Sequence, residues 1–424
     1  MTRVRRLGRD TFVSLHNRNY RLYFIGQTIS VSGTWMQGLA QALLVLKLTH
    51  NSGTALGLVT ALQFLPMLLF GAWGGVLADR VDKRKLLYGT QIAAGVLALA
   101  LGIIVSTGNA AVWNVYVLSA LLGFVNVVDN PARQTFVLEM VGREDLPNAV
   151  SLNSVVMNSS RVVGPAIGGV LIKVFGLAPC FYINAASYVA VLVALMMMNA
   201  SLLQRLPKVE RAKGQLREGL LYAWSEPMVR VPLLMMAVIG TLAFNFQVVI
   251  PLIAIKTFGS GAGGTALLLS TMGAGAVLGG LSVASLRGVS HKRLVTLSMA
   301  MGAAILIVAV APSLATETVA MFVMGGAAFA FIAVANTTIQ LTSAPEMRGR
   351  VMALYAIAFL GSTPIGGPLV GWISQQYGAR VGFAIGGVAT IIATAVAGWS
   401  LSRHRMKRGA DRDGRREVMA VPAA

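Results

Sequence analysis

The sequence GGVLADRVDKRK (residues 74–85) places six charged residues between Asp79 and Lys85, immediately after a long apolar run. A second apolar run begins at Leu86. A short, basic turn between two apolar segments is typical of a cytoplasmic hairpin between membrane-spanning helices, because Lys and Arg accumulate in cytoplasmic loops. This stretch therefore predicts that the chain crosses a membrane.

The composition extends this prediction to the whole chain. Of the 424 residues, 56% are hydrophobic and only 12% are charged, whereas about 25% are charged in an ordinary soluble protein. Twelve apolar segments, each long enough to cross a bilayer, predict helical spans, because a helix satisfies its own backbone groups in hydrocarbon. They lie near residues 20–46, 54–78, 86–106, 111–136, 149–174, 179–200, 229–256, 264–286, 293–311, 317–341, 349–375 and 380–401.

The spans fall into two related sets of six. Glycines within the fifth and eleventh spans occur at one common offset, Gly164 with Gly366 and Gly169 with Gly371. The sequence thus predicts two pseudo-symmetric six-helix bundles, as in transporters with a substrate site between the halves. The predicted regions are an N-terminal segment 1–19, a first bundle 20–200, a connecting loop 201–228, a second bundle 229–401 and a basic tail 402–424.

The basic residues predict the orientation. With both termini in the cytoplasm, 30 of the 35 Lys and Arg residues lie on the cytoplasmic side, four lie outside, and Arg161 lies within a span. This asymmetry favours a bacterial cytoplasmic (inner) membrane with cytoplasmic N- and C-termini. The net charge of +20 is therefore explained by topology, and we expect no nucleic-acid partner.

Several motifs resemble the major facilitator superfamily of transporters. Gly75, Asp79, Arg80, Lys83 and Arg84 match the spacing of its signature loop between spans two and three, with Asp82 where a glycine is usual. Gly164, Pro165, Gly168 and Gly169 resemble the core of a motif associated with its antiporters, although Ser160 stands where an upstream glycine is expected. The stretches GTWMQ (33–37), LP (65–66), DNPARQ (129–134) and RGRV (348–351) resemble the enterobactin exporter and macrolide efflux branch of drug:proton antiporters.

The resemblance implies a cytoplasmic gate in the signature loop. Asp79 would bridge to Arg348 or Arg350 at the start of span eleven, and the basic pair Lys83 and Arg84 would reach Glu139 on span four. The alternative is that these charges only anchor the loop in water. For Gly164–Gly169 the alternatives are close helix packing, which small residues permit, and a functional bend at Pro165.

Three charged residues are candidates for proton coupling. Asp129 lies in span four, Arg133 lies one helical turn beyond it, and Arg161 lies deep in span five. With the predicted loop over residues 142–148, Asp129 and Arg161 fall about 16 residues from its middle, and thus at similar depth. Charges at that depth usually pair or line a wet pathway. Either a structural ion pair or an Asp129 that exchanges a proton, with Arg161 or Arg133 tuning its pKa, would account for them.

Polar and aromatic side chains in several spans predict a cavity for an amphiphilic organic substrate. The candidates are Trp35, Gln37, Gln41, Asn126, Asn245, Gln247, Asn336 and Tyr355. Each of them could instead form an interhelical hydrogen bond or pack in the core.

These features predict a secondary active transporter, with the proton gradient as energy source and no cofactor. A proton-coupled exporter of a drug or siderophore is the first hypothesis, and an importer or a lipid flippase of the same fold is the alternative. No P-loop motif is present, and the four histidines fall in predicted loops or ends, which disfavours an ATPase or an intramembrane enzyme. A channel or receptor is the remaining class. The expected partners are a small-molecule substrate and the lipid bilayer, with the protein acting as a monomer.

Overall fold

A computed structural model describes residues 12–204, 215–284 and 290–419, and in these ranges the regular structure is entirely helical. The connecting loop and the tail predicted above therefore lie partly outside the described residues. Fourteen α-helices follow one another in this part of the chain: α1 Arg18–Leu48, α2 Gly53–Arg80, α3 Lys83–Ser106, α4 Val112–Phe175, α5 Ala178–Met197, α6 Gln215–Ser225, α7 Pro227–Leu242, α8 Phe246–Leu252, α9 Gly261–Ala284, α10 His291–Val310, α11 Leu314–Thr342, α12 Arg348–Leu360, α13 Thr363–Tyr377 and α14 Ala379–Met419.

Helix α4 contains two spans. Its 64 residues would extend for about 96 Å as one straight helix, three times the thickness of a bilayer core. Gly142 divides it with a left-handed φ of 76°, a conformation that favours glycine. The predicted loop over 142–148 was wrong in length, because helix resumes directly after Gly142. Pro147 follows five residues after Gly142, near the start of the new segment.

Two other spans are interrupted. Helix α7 stops before Asn245, whose side chain donates a 2.7 Å hydrogen bond to the Thr241 carbonyl oxygen. The span then continues through α8 and a π-helical turn, Ile253–Thr257. Span eleven is divided between α12 and α13 just before Pro364, which cannot donate the next helical hydrogen bond.

Eleven helices of the described chain are long and apolar enough to cross a membrane, and α4, counted once, supplies a further span. Large apolar side chains cover the outer surface, such as Trp73 and Val310, with 61% and 71% of their area exposed. This exposure is costly in water but matches lipid. The chain is therefore an all-α, multi-pass membrane protein, as predicted.

Two ends of the bundle can be distinguished. The terminal face, as we name it, carries the start of α1, the α2–α3 turn (residues 81–82) and Gly142. The opposite face carries residues 49–52, 107–111 and Gly176. At the opposite face the two halves meet closely, since the backbones of Gly53 and Gly57 on α2 abut those of Gly371 and Gly367 on α13.

At the terminal face, polar side chains join the helices of the first half through backbone acceptors. Asn17 donates to the Met140 carbonyl oxygen at 2.5 Å, and the hydroxyl of Tyr20 donates to that of Ala149 at 2.8 Å. Asn19 exchanges two bonds of 2.9 Å with the backbone of Asn199. The start of α1, the Gly142 turn of α4 and the end of α5 are thereby held together.

Candidate functional site

A cavity of about 430 Å³ lies between the halves, with walls from α1, α2, α3, α4, α5, α8 and α9. Its surface combines amides with apolar and aromatic groups. Five of the predicted cavity residues line it: Trp35, Gln37, Gln41, Asn126 and Gln247. The volume and the mixed surface suit a small amphiphilic molecule.

Two of these amides also bond within the protein. Gln37 accepts a 2.7 Å hydrogen bond from Asn184 Nδ2, and Gln41 donates to Ser119 Oγ at 3.0 Å. Both residues therefore combine a structural contact with a lining role.

The other three predicted cavity residues are absent from the lining of this cavity. Asn245 bonds to its own helix, and Asn336 accepts a 2.5 Å bond from Gln340 Nε2 on α11. Tyr355 on α12 stacks on Phe359, with ring centroids 6.2 Å apart. The structure thus places the polar residues of the second half outside this cavity, apart from Gln247.

Asp129 lies in the cavity wall with only 4% of its surface exposed. Its Oδ2 accepts bonds from Arg133 Nε at 3.0 Å and Nη2 at 2.5 Å. Its Oδ1 accepts bonds from Thr90 Oγ1 and Gln91 Nε2, both at 2.7 Å. Four donors therefore occupy the two oxygens of this carboxylate.

Arg133 extends this network to α1. Its Nη1 donates to Gln27 Oε1, and its pair with Asp129 has the i, i+4 spacing that places both side chains on one helix face. Asp129 thus pairs with Arg133 and not with Arg161. The sequence left Arg161 and Arg133 open as partners of Asp129, and it did not connect Thr90, Gln91 and Gln27 with this pair, because the helices that contribute them meet Asp129 only in the fold.

Arg161 has a different environment. Its guanidinium carbon lies 5.1 Å from the ring centroid of Trp35 in the first half and 4.4 Å from that of Phe329 in the second. These are cation–π distances. Arg161 thus bridges the two halves through aromatic faces.

The signature loop forms two separate contacts. Lys83 Nζ lies 2.8 Å from Glu139 Oε1, as the resemblance implied. Arg84 turns instead to the end of α5, where its Nη2 donates to the Leu195 carbonyl oxygen at 2.6 Å. Asp82 caps α3 by accepting from the Lys85 backbone N–H at 3.1 Å, with an extended φ of −58°. The turn therefore does not require glycine at position 82.

The remaining gate candidates lie at the terminal face. Asp79 is half-buried in the last turn of α2, Arg80 is exposed, and Gly75 is partly buried one turn earlier. Arg348 is exposed at the start of α12, whereas Arg350 pairs with Glu218 of α6 at 2.7 Å. A bridge from Asp79 to Arg348 or Arg350 stays a prediction.

The antiporter-like motif is a packing surface. A side chain at Gly164 would meet the Ser32 carbonyl oxygen and Trp35 Cβ, both at 2.6 Å. Gly168 faces Met36, and Gly169 faces Ala266 of α9. Gly164, Pro165, Gly168 and Gly169 are all buried, so this segment contacts α1 on one side and the second half on the other.

One buried carboxylate went unnoticed in the sequence. Glu317 on α11 is fully buried, and neither of its carboxylate oxygens has a hydrogen-bond partner among the described residues. Glu317 is the first residue of the predicted span 317–341, a position where a carboxylate is expected to face water.

Residues 9–417 match the model of a major facilitator superfamily family described as transmembrane secretion effectors. The chain belongs to this family. The match spans nearly the whole sequence, and it confirms the superfamily that the signature loop suggested.

Curated relatives of this family member share modest identity. It is 30% identical to the uncharacterized transporter YfiS of Bacillus subtilis, over 50% of this chain and 51% of that protein, so the match spans about half of that relative's length. It is 24% identical to macrolide efflux protein A of Streptococcus pyogenes, over 88% of this chain and 94% of that protein. The enterobactin exporter EntS of Citrobacter koseri is also 24% identical, over 88% of this chain and 89% of that protein.

Solved structures establish the fold. A bacterial homologue of the lysosomal transporter Spinster, in an inward-facing and occupied conformation, gives a TM-score of 0.72 at 14% identity, over 90% of this chain and 97% of that one. The nucleoside transporter NupG gives 0.73 at 11% identity, over 90% and 99%. The family member therefore has the major facilitator fold, and its relatives are transporters rather than enzymes.

Proposed function

We propose that this protein is a secondary active exporter that moves amphiphilic small molecules by alternating access, driven by a proton gradient. The observation that carries the proposal is the cavity between the halves. It has a mixed polar and apolar wall, and beyond it the halves are packed together at the opposite face. Such a cavity can exchange its content with one side of the membrane at a time.

The curated relatives support export. Their names describe a macrolide efflux protein and an enterobactin exporter. We infer a protein of the bacterial inner membrane, acting as a monomer with cytoplasmic termini, in which the signature loop controls opening at the terminal face. The contact between Lys83 and Glu139 supports that gate, and Asp79 with Arg348 or Arg350 would complete it.

Asp129 is the proposed proton carrier. It lies in the cavity wall, and Thr90, Gln91 and Arg133 hold it from α3 and α4. In the present arrangement these donors occupy both oxygens of the carboxylate. A conformational change that withdraws one or more of them would favour protonation, which links proton uptake to the position of the helices.

The test is transport in proteoliposomes with the purified protein. A panel of amphiphilic fluorescent probes, one cationic, one neutral and one anionic, is offered with and without an imposed pH gradient. We expect saturable, gradient-dependent accumulation of at least one probe by the wild type. Asp129→Asn should abolish gradient-driven accumulation but retain exchange at equal pH, whereas the exposed control Glu144→Gln should behave as wild type.

Two outcomes would contradict the proposal. Non-saturable flux at channel-like rates would exclude alternating access. Gradient-driven accumulation at the wild-type rate by a well-folded Asp129→Asn protein would exclude Asp129 as the proton carrier. Accumulation of a probe on the cytoplasmic side of the protein would instead favour an importer. Movement restricted to lipid probes would favour a flippase.

A further inference from the structure

The guanidinium of Arg161 has unused hydrogen-bonding capacity inside the protein. Its Nε and Nη1 are buried and have no hydrogen-bond partner in the part of the chain that the structure describes. Its guanidinium carbon lies over the rings of Trp35 and Phe329. The edge of the group, which carries the N–H donors, is therefore the part whose bonding capacity is unused.

The charge of Arg161 is not balanced by a carboxylate in the described chain. Asp129, the buried carboxylate at comparable depth, is already paired with Arg133. No carboxylate forms an ion pair with Arg161 among the described residues. In this part of the chain, Asp129 and Arg133 are thus a balanced pair, and the positive charge of Arg161 is unbalanced.

A buried charge without a partner is costly, and aromatic faces offset only part of the cost. Arginine is less strongly hydrated than lysine and binds carboxylates with two parallel N–H donors. An anion that approaches the free edge would supply both the missing charge and the missing acceptors. A buried polar group left unsatisfied in a native structure requires an explanation, such as a bound ion or a functional role.

Arg161 stands beside the cavity. Trp35, which contacts its guanidinium, lines the cavity, and so does Met157, one helical turn before Arg161 on α4. Arg161 itself is not among the lining residues, so the anionic group of a molecule in the cavity must extend beyond the wall to meet it, with the apolar body left against Trp35. Phe329 extends the same surface into the second half.

We infer that Arg161 binds the anionic group of the transported molecule, and that the substrates are amphiphilic anions with a carboxylate or a similar planar acceptor. This inference rests on the proposed transport function and narrows its substrate class. A cationic molecule would meet the uncompensated positive charge and would be disfavoured. Because Arg161 touches an aromatic ring from each half, a bound anion acts at the contact between the halves.

The test compares two probes of nearly equal shape, 1-naphthoate and the neutral 1-naphthamide. Their binding to the full-length protein in lipid nanodiscs is measured by equilibrium dialysis. We expect wild-type protein to bind the naphthoate about 10- to 100-fold more tightly, the range given by charge-assisted hydrogen bonds. Arg161→Gln should remove this preference. The Kd of naphthamide for this variant should stay within about twofold of the wild-type value, which is a small change in binding free energy.

A matched control is available in Arg230, whose guanidinium carbon lies 5.5 Å from the Trp224 ring centroid at the terminal face. Arg230→Gln removes the same charge and the same kind of aromatic contact, but it should keep the preference for naphthoate. Arg161→Lys should retain part of the preference, because the charge stays while the paired donors are lost.

The inference fails if wild-type protein binds both probes equally, a result that needs no variant. It also fails if Arg161→Gln keeps the wild-type preference. These outcomes are separable from the failure of transport itself. Gradient-driven accumulation of a neutral or cationic probe, without a preference for the anion, would uphold the transporter and reject the anion site.

Discussion

At the scale of single residues, Asp129 shows how a charge is kept in the interior of this protein. Two donors on Arg133 and one each on Thr90 and Gln91 occupy its oxygens. The carboxylate thus has its partners from two helices, and the strength of each bond can be measured separately.

Removal of one donor should be costly. We expect Thr90→Val to lower the free energy of unfolding by about 1.5–3 kcal/mol, the contribution of a hydrogen bond to a charged group. The control Thr28→Val removes a hydroxyl that bonds only its own helix at an exposed site, and it should change stability by about 0.5 kcal/mol or less. Chemical denaturation in detergent measures both. Equal effects would contradict this account of the network.

The two buried glutamates should respond oppositely to neutralisation. Glu139→Gln would leave Lys83 without its partner in a site where both side chains are only 10% exposed, which costs about 3 kcal/mol. Glu317→Gln removes a fully buried charge whose oxygens are unbonded in the described chain, so stability should stay constant or rise. Thermal unfolding in detergent distinguishes them, and a loss in the Glu317 variant equal to that in the Glu139 variant would refute this assignment.

The sequence was sufficient for the local part of this chemistry. Asp129 and Arg133 could be paired from their i, i+4 spacing, and Lys83 with Glu139 from the family resemblance. The position of Arg161 between Trp35 and Phe329 could not be predicted, because residues distant in the chain meet there only after two bundles pack. For the same reason the partners of Asp129 on α3 were missed.

At the scale of elements, the contact between α2 and α13 depends on small residues. Gly57 abuts Gly367 backbone to backbone, and one turn away Ser52 Oγ donates to Gln375 Oε1 at 2.7 Å. A side chain at position 57 has no room in this arrangement, so any substitution must push the two helices apart.

We therefore expect Gly57→Val to open the opposite face. In a protein that carries Ser52→Cys and Gln375→Cys, a short bifunctional thiol reagent should cross-link the two introduced cysteines efficiently as long as Gly57 is retained. Gly57→Val should reduce the cross-linked fraction severalfold, because the helices separate. The control Gly89→Val lies on α3, where an added Cβ meets nothing within 4 Å, and it should leave the yield unchanged. An unaltered yield in the Gly57 variant would show that this contact does not hold the face closed.

Helix boundaries were harder to predict than helix existence. The apolar runs located every span, but hydropathy carries no signal for a left-handed residue, and therefore the turn at Gly142 was predicted too long. The breaks before Asn245 and Pro364 were also missed, because the apolar character of the sequence continues across them.

At the scale of the whole molecule, charge asymmetry makes a topological prediction. Thirty Lys and Arg residues are assigned to the terminal face and its connections, against four at the opposite face, and such a bias sets orientation in membranes. We expect Ser52→Cys and Thr107→Cys to react with an impermeant maleimide in intact cells.

Val81→Cys, in the α2–α3 turn, should react only after permeabilisation. Val81 is 39% exposed, so lack of reaction in intact cells would reflect its side of the membrane. The native Cys180 is fully buried and should give a low background. Labelling of position 81 in intact cells would reverse the proposed orientation.

The fold as a whole was predictable because few arrangements satisfy twelve apolar segments in two related sets. The mixed polar and apolar surface of the cavity was predictable, but only some of the residues that line it were. Trp35, Gln37, Gln41, Asn126 and Gln247 line it, whereas Asn245, Asn336 and Tyr355 lie elsewhere. Polar residues in a span face either a neighbouring helix or the cavity, and only the rotation of the helix decides between them.

The bonds that join α1, α4 and α5 at the terminal face have a consequence for sequence variation. Asn17, Asn19, Tyr20 and Arg84 donate to backbone carbonyl groups of other helices. Every residue type offers such an acceptor, so Met140, Ala149, Leu195 and Asn199 can change without removing the bond they accept. The constraints should therefore differ in kind across these contacts: the four donors are constrained in chemistry, whereas the buried acceptors Met140, Ala149 and Leu195 are constrained by the size of the side chain that fits the core.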